Sequence, residues 1–322
     1  MAFLNKKKVV ITGGAGFIGS HLAELLVKSG AQVTVPVLKN ESLSNLNQVK
    51  SKIKTIVADL RLISDCKKVC HHQDFCFNLA AVVGGIDFNN QHPATLLRDN
   101  SLIGINILEA ARIKKIKRFL MVSSACVYRR QAPVPTKEEE GFIGEPEPTN
   151  YGYGWAKRIL ELAAKTYHQE FNMNIAVVRP YNTYGPRDHF NDANAHVIPS
   201  LISRVFADES PLTVWGDGTP TRAFIYVKDV IKGMVSALKK SSTAEPINLG
   251  TKEEVSIAKL ARKIIKLSGK QIKIEFDTSK PNGQPRRNCD TKKAKAKIQF
   301  EAQTSLDQGL KETIDWFQQN FS

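Results

Sequence analysis

Tyr153 and Lys157 stand four residues apart in the run Tyr153-Gly154-Trp155-Ala156-Lys157. On a helix, two such side chains share a face. An ammonium beside a phenol lowers the phenol's pKa and makes it a usable proton donor and acceptor. Tyr151 lies six residues from Lys157, on another face, so Tyr153 is the better partner. Upstream, Ser123-Ser124 closes an apolar run at 118–123 that reads as a strand. Strand ends are where a parallel sheet presents reacting groups. Nearer the start, Thr12-Gly13-Gly14-Ala15-Gly16-Phe17-Ile18-Gly19 carries G-x-G-x-x-G spacing over Gly14, Gly16 and Gly19. Gly13, Gly16 and Gly19 add a G-x-x-G-x-x-G spacing. Glycines so placed allow a tight turn and close backbone approach to a pyrophosphate, while the N-terminus of the helix that follows offers free N–H groups.

These residues need a scaffold that brings strand ends together. β-branched and apolar runs at 8–12, 31–37, 53–57, 74–80, 118–123 and 175–180 read as buried strands, and 247–249 as an edge strand. Helical patterns fill the gaps, at 21–29, 95–114 and 151–171. Alternation of this kind predicts an α/β fold: a Rossmann doubly wound parallel sheet with a smaller C-terminal α/β substrate-binding domain. The expected division is 1–180 with 224–250 for the dinucleotide and 181–223 with 251–322 for the substrate. Gly- and Pro-punctuated loops near 184–186 and 216–220 mark the change of character.

The 322 residues carry 46 Lys and Arg against 31 Asp and Glu, a net charge of +15. That balance suits an anionic ligand. The lysines are scattered and accompany no nucleic-acid-binding motif, so no nucleic-acid partner is expected. Five cysteines are too few and odd in number for a disulfide framework. Cys66, Cys70, His71, His72 and Cys76 match no zinc spacing, and no metal is expected. No apolar run is long enough to span a membrane. A strand beginning near Lys8 leaves no room for a signal peptide, so the expected location is cytoplasmic. The second strand ends in Val35-Pro36-Val37-Leu38-Lys39-Asn40-Glu41, with Lys39 as the nearest charge. A lysine attracts a ribose 2′-phosphate that an acid would repel, which favours NADP(H). Glu41 keeps NAD(H) as the alternative.

The glycine loop, the Ser-Ser strand end and the Tyr-x-x-x-Lys helix, in this order, resemble the extended short-chain dehydrogenase/reductase family of nucleotide-sugar epimerases, reductases and dehydratases. Supporting runs are Asp59-Leu60, Leu79-Ala80-Ala81, Arg179-Pro180-Tyr181-Asn182-Thr183-Tyr184-Gly185-Pro186 and Arg222-Ala223-Phe224-Ile225-Tyr226-Val227-Lys228-Asp229. Within the family the chain is similar to the GDP-L-fucose synthases, through Val83-Gly84-Gly85-Ile86, Glu147-Pro148-Thr149-Asn150, His196-Val197-Ile198-Pro199, Trp215-Gly216-Asp217-Gly218-Thr219-Pro220 and Pro281-Asn282-Gly283-Gln284-Pro285-Arg286-Arg287. The GDP-mannose 3,5-epimerases share the Ser-Ser-Ala-Cys run. Dehydratases carry an Asp-Glu pair where Ala125 and Cys126 stand. Arg129-Arg130 and Val37 depart from the fucose synthase pattern, which has Pro and Arg there.

The resemblance implies roles. Tyr153 gives a proton to the sugar C4 oxygen, Lys157 tunes it and binds the nicotinamide ribose, and Ser124 bonds the same oxygen. Cys126 and His196 correspond to the acid/base pair that inverts C3 and C5, whose hydrogens a 4-keto group acidifies. Asp59, Leu60, Leu79, Ala80, Ala81 and Tyr181 join Gly13, Gly16, Phe17, Ile18, Gly19, Lys39 and Lys157 as cofactor contacts. Asn182, Arg187, Arg204, Trp215, Arg222 and Arg287 are the substrate contacts, arginine suiting phosphate through its planar fork. The expected activity is 3,5-epimerisation and C4 reduction of a GDP-4-keto-6-deoxy-hexose, with a GDP-sugar 3,5-epimerase or a silent dinucleotide-binding scaffold as alternatives. Apolar positions on 95–114 (Leu96, Leu97, Leu102, Ile103, Ile107, Leu108) and 151–171 (Trp155, Ile159, Leu160, Leu162, Tyr167) cover more than one stripe, and the surplus predicts a homodimer through a four-helix bundle, as in the family.

Overall fold

The computed structural model describes residues 2–190 and 195–321. The first half alternates strand and helix: β1 (Lys8–Thr12), α1 (Phe17–Lys28), β2 (Gln32–Val37), β3 (Ile53–Val57), α2 (Ile63–Val69), β4 (Phe75–Asn78), α3 (Ile86–Gln91), α4 (Pro93–Ile113), β5 (Arg118–Val122), α5 (Tyr151–Phe171) and β6 (Ile175–Pro180). The second half runs β7 (Thr183–Tyr184), α6 (Val197–Phe206), β8 (Leu212–Trp215), β9 (Thr221–Ala223), β10 (Ile225–Tyr226), α7 (Val227–Lys240), β11 (Thr243–Leu249), β12 (Glu254–Ser256), α8 (Ile257–Ser268), β13 (Ile274–Asp277), β14 (Arg286–Arg287), α9 (Lys292–Ile298) and α10 (Leu306–Phe321).

Seven strands form one parallel sheet in the order β11-β6-β5-β4-β1-β2-β3. The order reverses between β1 and β4, the crevice where doubly wound sheets take dinucleotides. Both faces are covered, because alternate side chains of each strand point opposite ways. Val9 and Ile11 join Leu22 and Leu26 of α1 and Val230 and Met234 of α7. Val10 joins Val69, Ile103, Ile107 and Leu160 of α2, α4 and α5 on the other side. β11 is an edge strand, as its sequence suggests.

A separate core is built by α6, α8, α10, β8 and β10, around Ile198, Leu212, Tyr226, Leu260 and Phe317. The helix α9 departs from the expected division at 251. Ala294, Ile298 and Phe300 are buried in the main core beside α7 and β11. Two more elements were not visible as such in the sequence. The helix α1 begins at Phe17, four residues before its apolar pattern, since glycine spacing hides the first turn. The helix α6 lies in the stretch that reads as loop. Cys66, Cys70 and Cys76 lie in the α2/α4 core, where burial pushes the first two thiols up to about 12 and the third up as well. No described helix is long and apolar enough to cross a membrane.

Candidate active site

The glycine loop joins β1 to α1. Gly13 has a φ of +65°, and a Cβ there would stand 3.0 Å from the Ala80 backbone. A Cβ on Gly19 would fall 2.0 Å from the Gly13 carbonyl oxygen, so glycine is what lets the helix close onto the turn. Gly16 caps α1 with no side-chain bond, and the first turn, which holds Phe17 and Ile18, carries no acid. Its N–H groups are therefore available to an anion. Thr12 Oγ1 donates to Asn78 Oδ1 at 2.6 Å and accepts from the N–H groups of Leu79 and Ala80 at 3.1 and 3.0 Å. This pins Leu79, Ala80 and Ala81 beside the glycine loop. The cradle fits a dinucleotide pyrophosphate.

Farther along that crevice, Leu60 is buried and the Asp59 carboxylate is held by Arg61, with Nη2 to Oδ2 at 2.7 Å. That contact pulls its pKa below the usual carboxylate value. Lys39 is exposed just past β2. Glu41 bends back so that its Oε2 accepts the Leu38 N–H at 2.9 Å. A carboxylate therefore does stand at this strand end, which the linear order alone did not place there.

At the end of β5, Ser124 leaves the strand and caps a short turn, its Oγ accepting the Cys126 N–H at 3.1 Å. Helix α5 brings Tyr153 and Lys157 to the same place. Lys157 is 3% exposed and donates to the Val122 carbonyl at 2.8 Å, with Nζ 5.4 Å from the centre of the Tyr153 ring. Burial pulls the ammonium down to about 8, while Cys126 and Glu161 pull it up. Burial also pushes the Tyr153 phenol above its ordinary range, and its hydrogen bond with Ser124 pulls it back. A Cβ on Gly154 of α5 would stand 2.6 Å from the Cys126 carbonyl oxygen, so Cys126 sits against the helix that carries Tyr153 and Lys157.

His196 precedes α6, with a side chain 71% exposed and Nδ1 3.6 Å from Asp188 Oδ1. Asp188 raises its pKa, with Arg287 opposing. Of the four arginines expected at substrate phosphates, two are otherwise engaged. Arg187 pairs with Glu24 of α1 at 2.5 Å and is 9% exposed. Arg204 pairs with Glu209 and donates to the Thr213 carbonyl at 2.5 Å. Arg222 and Arg287 are register partners across β9 and β14, so they share a face. Neither meets a carboxylate among the described residues. Burial and the neighbouring Arg287 pull Arg222 down to about 10. Two like charges side by side favour an anion between them. Asn182 donates to the Ala223 carbonyl at 2.8 Å, tying β7 to β9. Trp215 is 65% exposed, which excludes a core role. Tyr181 is 2% exposed, its ring centre 5.9 Å from that of Tyr128 in a cluster with Cys289.

Behind the centre runs a network with no sequence signature. Glu161 accepts from Ser123 Oγ and from Arg179, with Nε to Oε1 at 2.8 Å and Nη2 to Oε2 at 2.6 Å. Arg179 also donates to Tyr128 Oη at 2.8 Å, and that hydroxyl donates to Asn248 Oδ1 at 2.6 Å. Glu161 lies one turn past Lys157 on α5, a spacing that suggests contact. Its pairing with Arg179 on β6 needs the fold.

The sheet order, glycine cradle and Ser-Tyr-Lys centre define a dinucleotide-dependent enzyme of the Rossmann type. The NAD-dependent epimerase/dehydratase family matches residues 9–250, and the chain belongs to it. It is 32% identical to a GDP-L-fucose synthase of Escherichia coli, over 98% of both chains. It is 30% identical to GDP-mannose 3,5-epimerase 1 of Oryza sativa, over 98% of this chain and 82% of that one. Among solved structures, a GDP-L-fucose synthetase from Naegleria fowleri bound to NADP superposes with a TM-score of 0.83 at 26% identity, covering 98% of this chain and 93% of that one.

Proposed function

We propose that the chain inverts C3 and C5 and reduces C4 of a GDP-4-keto-6-deoxy-hexose, with NADP(H) favoured and NAD(H) the alternative. One observation carries this reading: Cys126 packs against α5 beside Ser124, at the centre that holds Tyr153 and Lys157. A C4 proton donor and a base for neighbouring carbons then act on one bound sugar. The GDP-L-fucose synthase relatives support the substrate class, and the NADP-bound Naegleria structure and Lys39 support the cofactor.

Substrate enters with its diphosphate between Arg222 and Arg287, Asn182 beside it, and Trp215 against base or sugar. Cys126 and His196 take and return protons on opposite faces of C3 and C5. Ser124 and Tyr153 bond the C4 oxygen, and Tyr153 delivers its proton as that oxygen gains charge. The reduced nicotinamide supplies a hydride to C4. Lys157 steadies the phenolate left behind. Incubation with GDP-4-keto-6-deoxy-mannose and NADPH should consume cofactor one for one and give a C3,C5-inverted, C4-reduced sugar by NMR. Inversion without cofactor consumption would favour the second reading, a GDP-sugar 3,5-epimerase with bound NAD(H). That reading draws on the Oryza relative and on Glu41 at the end of β2. The assembly proposed is a homodimer through α4 and α5, since Leu97, Leu102, Ile159 and Leu162 stay exposed after the sheet is covered.

A further inference from the structure

The Asp188 side chain is 1% exposed. Its Oδ1 accepts the His189 N–H at 2.9 Å and lies 3.6 Å from His196 Nδ1. Its Oδ2 is buried and has no hydrogen-bond partner among the described residues. A sequestered carboxylate is costly unless a cation answers it. The adjacent cation does not: Arg187 has a φ of +69°, and its guanidinium is spent on Glu24 and on Ser20 Oγ, 3.3 Å away. That leaves the imidazole of His196. The loop bearing Asp188 is fixed independently of α6. Its Pro186 carbonyl accepts from His21 Nε2 of α1 at 2.9 Å, and the Arg187–Glu24 pair holds the next residue to the same helix.

We propose that Asp188 is a positioning residue for His196, its carboxylate 3.6 Å away favouring the proton on Nδ1 so that Nε2 is the atom that exchanges protons with the sugar. This rests on the acid/base reading of His196 given above. An imidazole with Nδ1–H held by a carboxylate has its lone pair on Nε2, and the imidazolium formed on proton uptake is stabilised by the same carboxylate. Among the described residues, the charged groups facing the ring are Asp188, from the loop after β7, and Arg287, from β14. They pull in opposite directions, and Asp188 prevails. Because Asp188 hangs from the helix that opens at the glycine loop, the proton-transfer centre and the dinucleotide cradle share one anchor.

The test is an NMR titration of the full-length chain carrying ¹³C-labelled histidine, with His196 assigned through His196→Gln. The wild-type ring should titrate above the ordinary 6.5. Asp188→Asn should lower that value by about one unit or more, as expected for losing a nearby opposite charge. Asp188→Glu, which restores the charge, should keep it raised and guards against misfolding of the Asn variant. With GDP-4-keto-6-deoxy-mannose in D₂O, Asp188→Asn should move the pH profile of deuterium entry at C3 and C5 by the same amount. A His196 titration unmoved in Asp188→Asn would overturn the proposal. If that titration moves but His196→Gln still exchanges at the wild-type rate, the fault lies in the acid/base role of His196 instead, and the positioning role falls with it.

Discussion

In the proposed reaction Tyr153 and Cys126 do different work, and substitutions should separate them. Tyr153→Phe keeps the ring and loses the proton donor. C4 reduction should fall by roughly 10²–10⁴, in the range of general acid catalysis. Deuterium should still enter C3 and C5, more slowly because the carbonyl is less polarised. Cys126→Ser should do the reverse, since a hydroxyl is a far weaker acid than a thiol and a poor base. Exchange at the wild-type rate in Cys126→Ser, followed by NMR, would make the thiol a filler. Glu161 is a third case. Glu161→Gln would leave the buried Arg179 without its carboxylate, and a broken buried pair costs about 3–5 kcal/mol. Urea unfolding should show a loss of that size.

At the scale of elements, helix α1 does more than open at the glycine loop. His21 is buried and neutral, its Nε2–H on the Pro186 carbonyl, with burial lowering its pKa from 6.5 to about 4. The unfolded chain therefore binds the proton first as pH falls. The stability this group contributes is complete above about 6.5 and is lost toward pH 4, by about 2 kcal/mol between pH 7 and 5. His21→Gln keeps a donor for Pro186 and cannot titrate, so its urea midpoint should fall less over that interval than that of the wild type. An equal fall would place the acid sensitivity elsewhere. The elements that the sequence revealed were those with local signals: β-branched runs such as Val9-Val10-Ile11, the glycine spacing, and the i,i+4 pair on α5. Helix α6 was hidden because its surroundings are loop-like. The Asp188–His196 approach and the Glu161–Arg179 pair were hidden because each joins separate segments that only the fold brings together.

For the whole molecule, the seven-stranded sheet is joined to smaller sheets, of which β9 and β14 bring two arginines side by side. The apolar residues left on α4 and α5 should be covered by a second copy, giving a dimer by light scattering at micromolar concentration. Leu102→Glu together with Leu162→Glu should give monomers, and a wild-type monomer would sink the four-helix interface. The central claim is that a thiol and an imidazole move protons at C3 and C5 independently of C4 reduction. It is tested most directly by incubating the wild-type protein with GDP-4-keto-6-deoxy-mannose in D₂O without reduced cofactor, and reading the sugar by NMR. The account predicts deuterium at both C3 and C5 of an unreduced 4-keto sugar, which later addition of NADPH converts to the C4 alcohol. Deuterium at neither carbon, with reduction proceeding once NADPH is added, would contradict it.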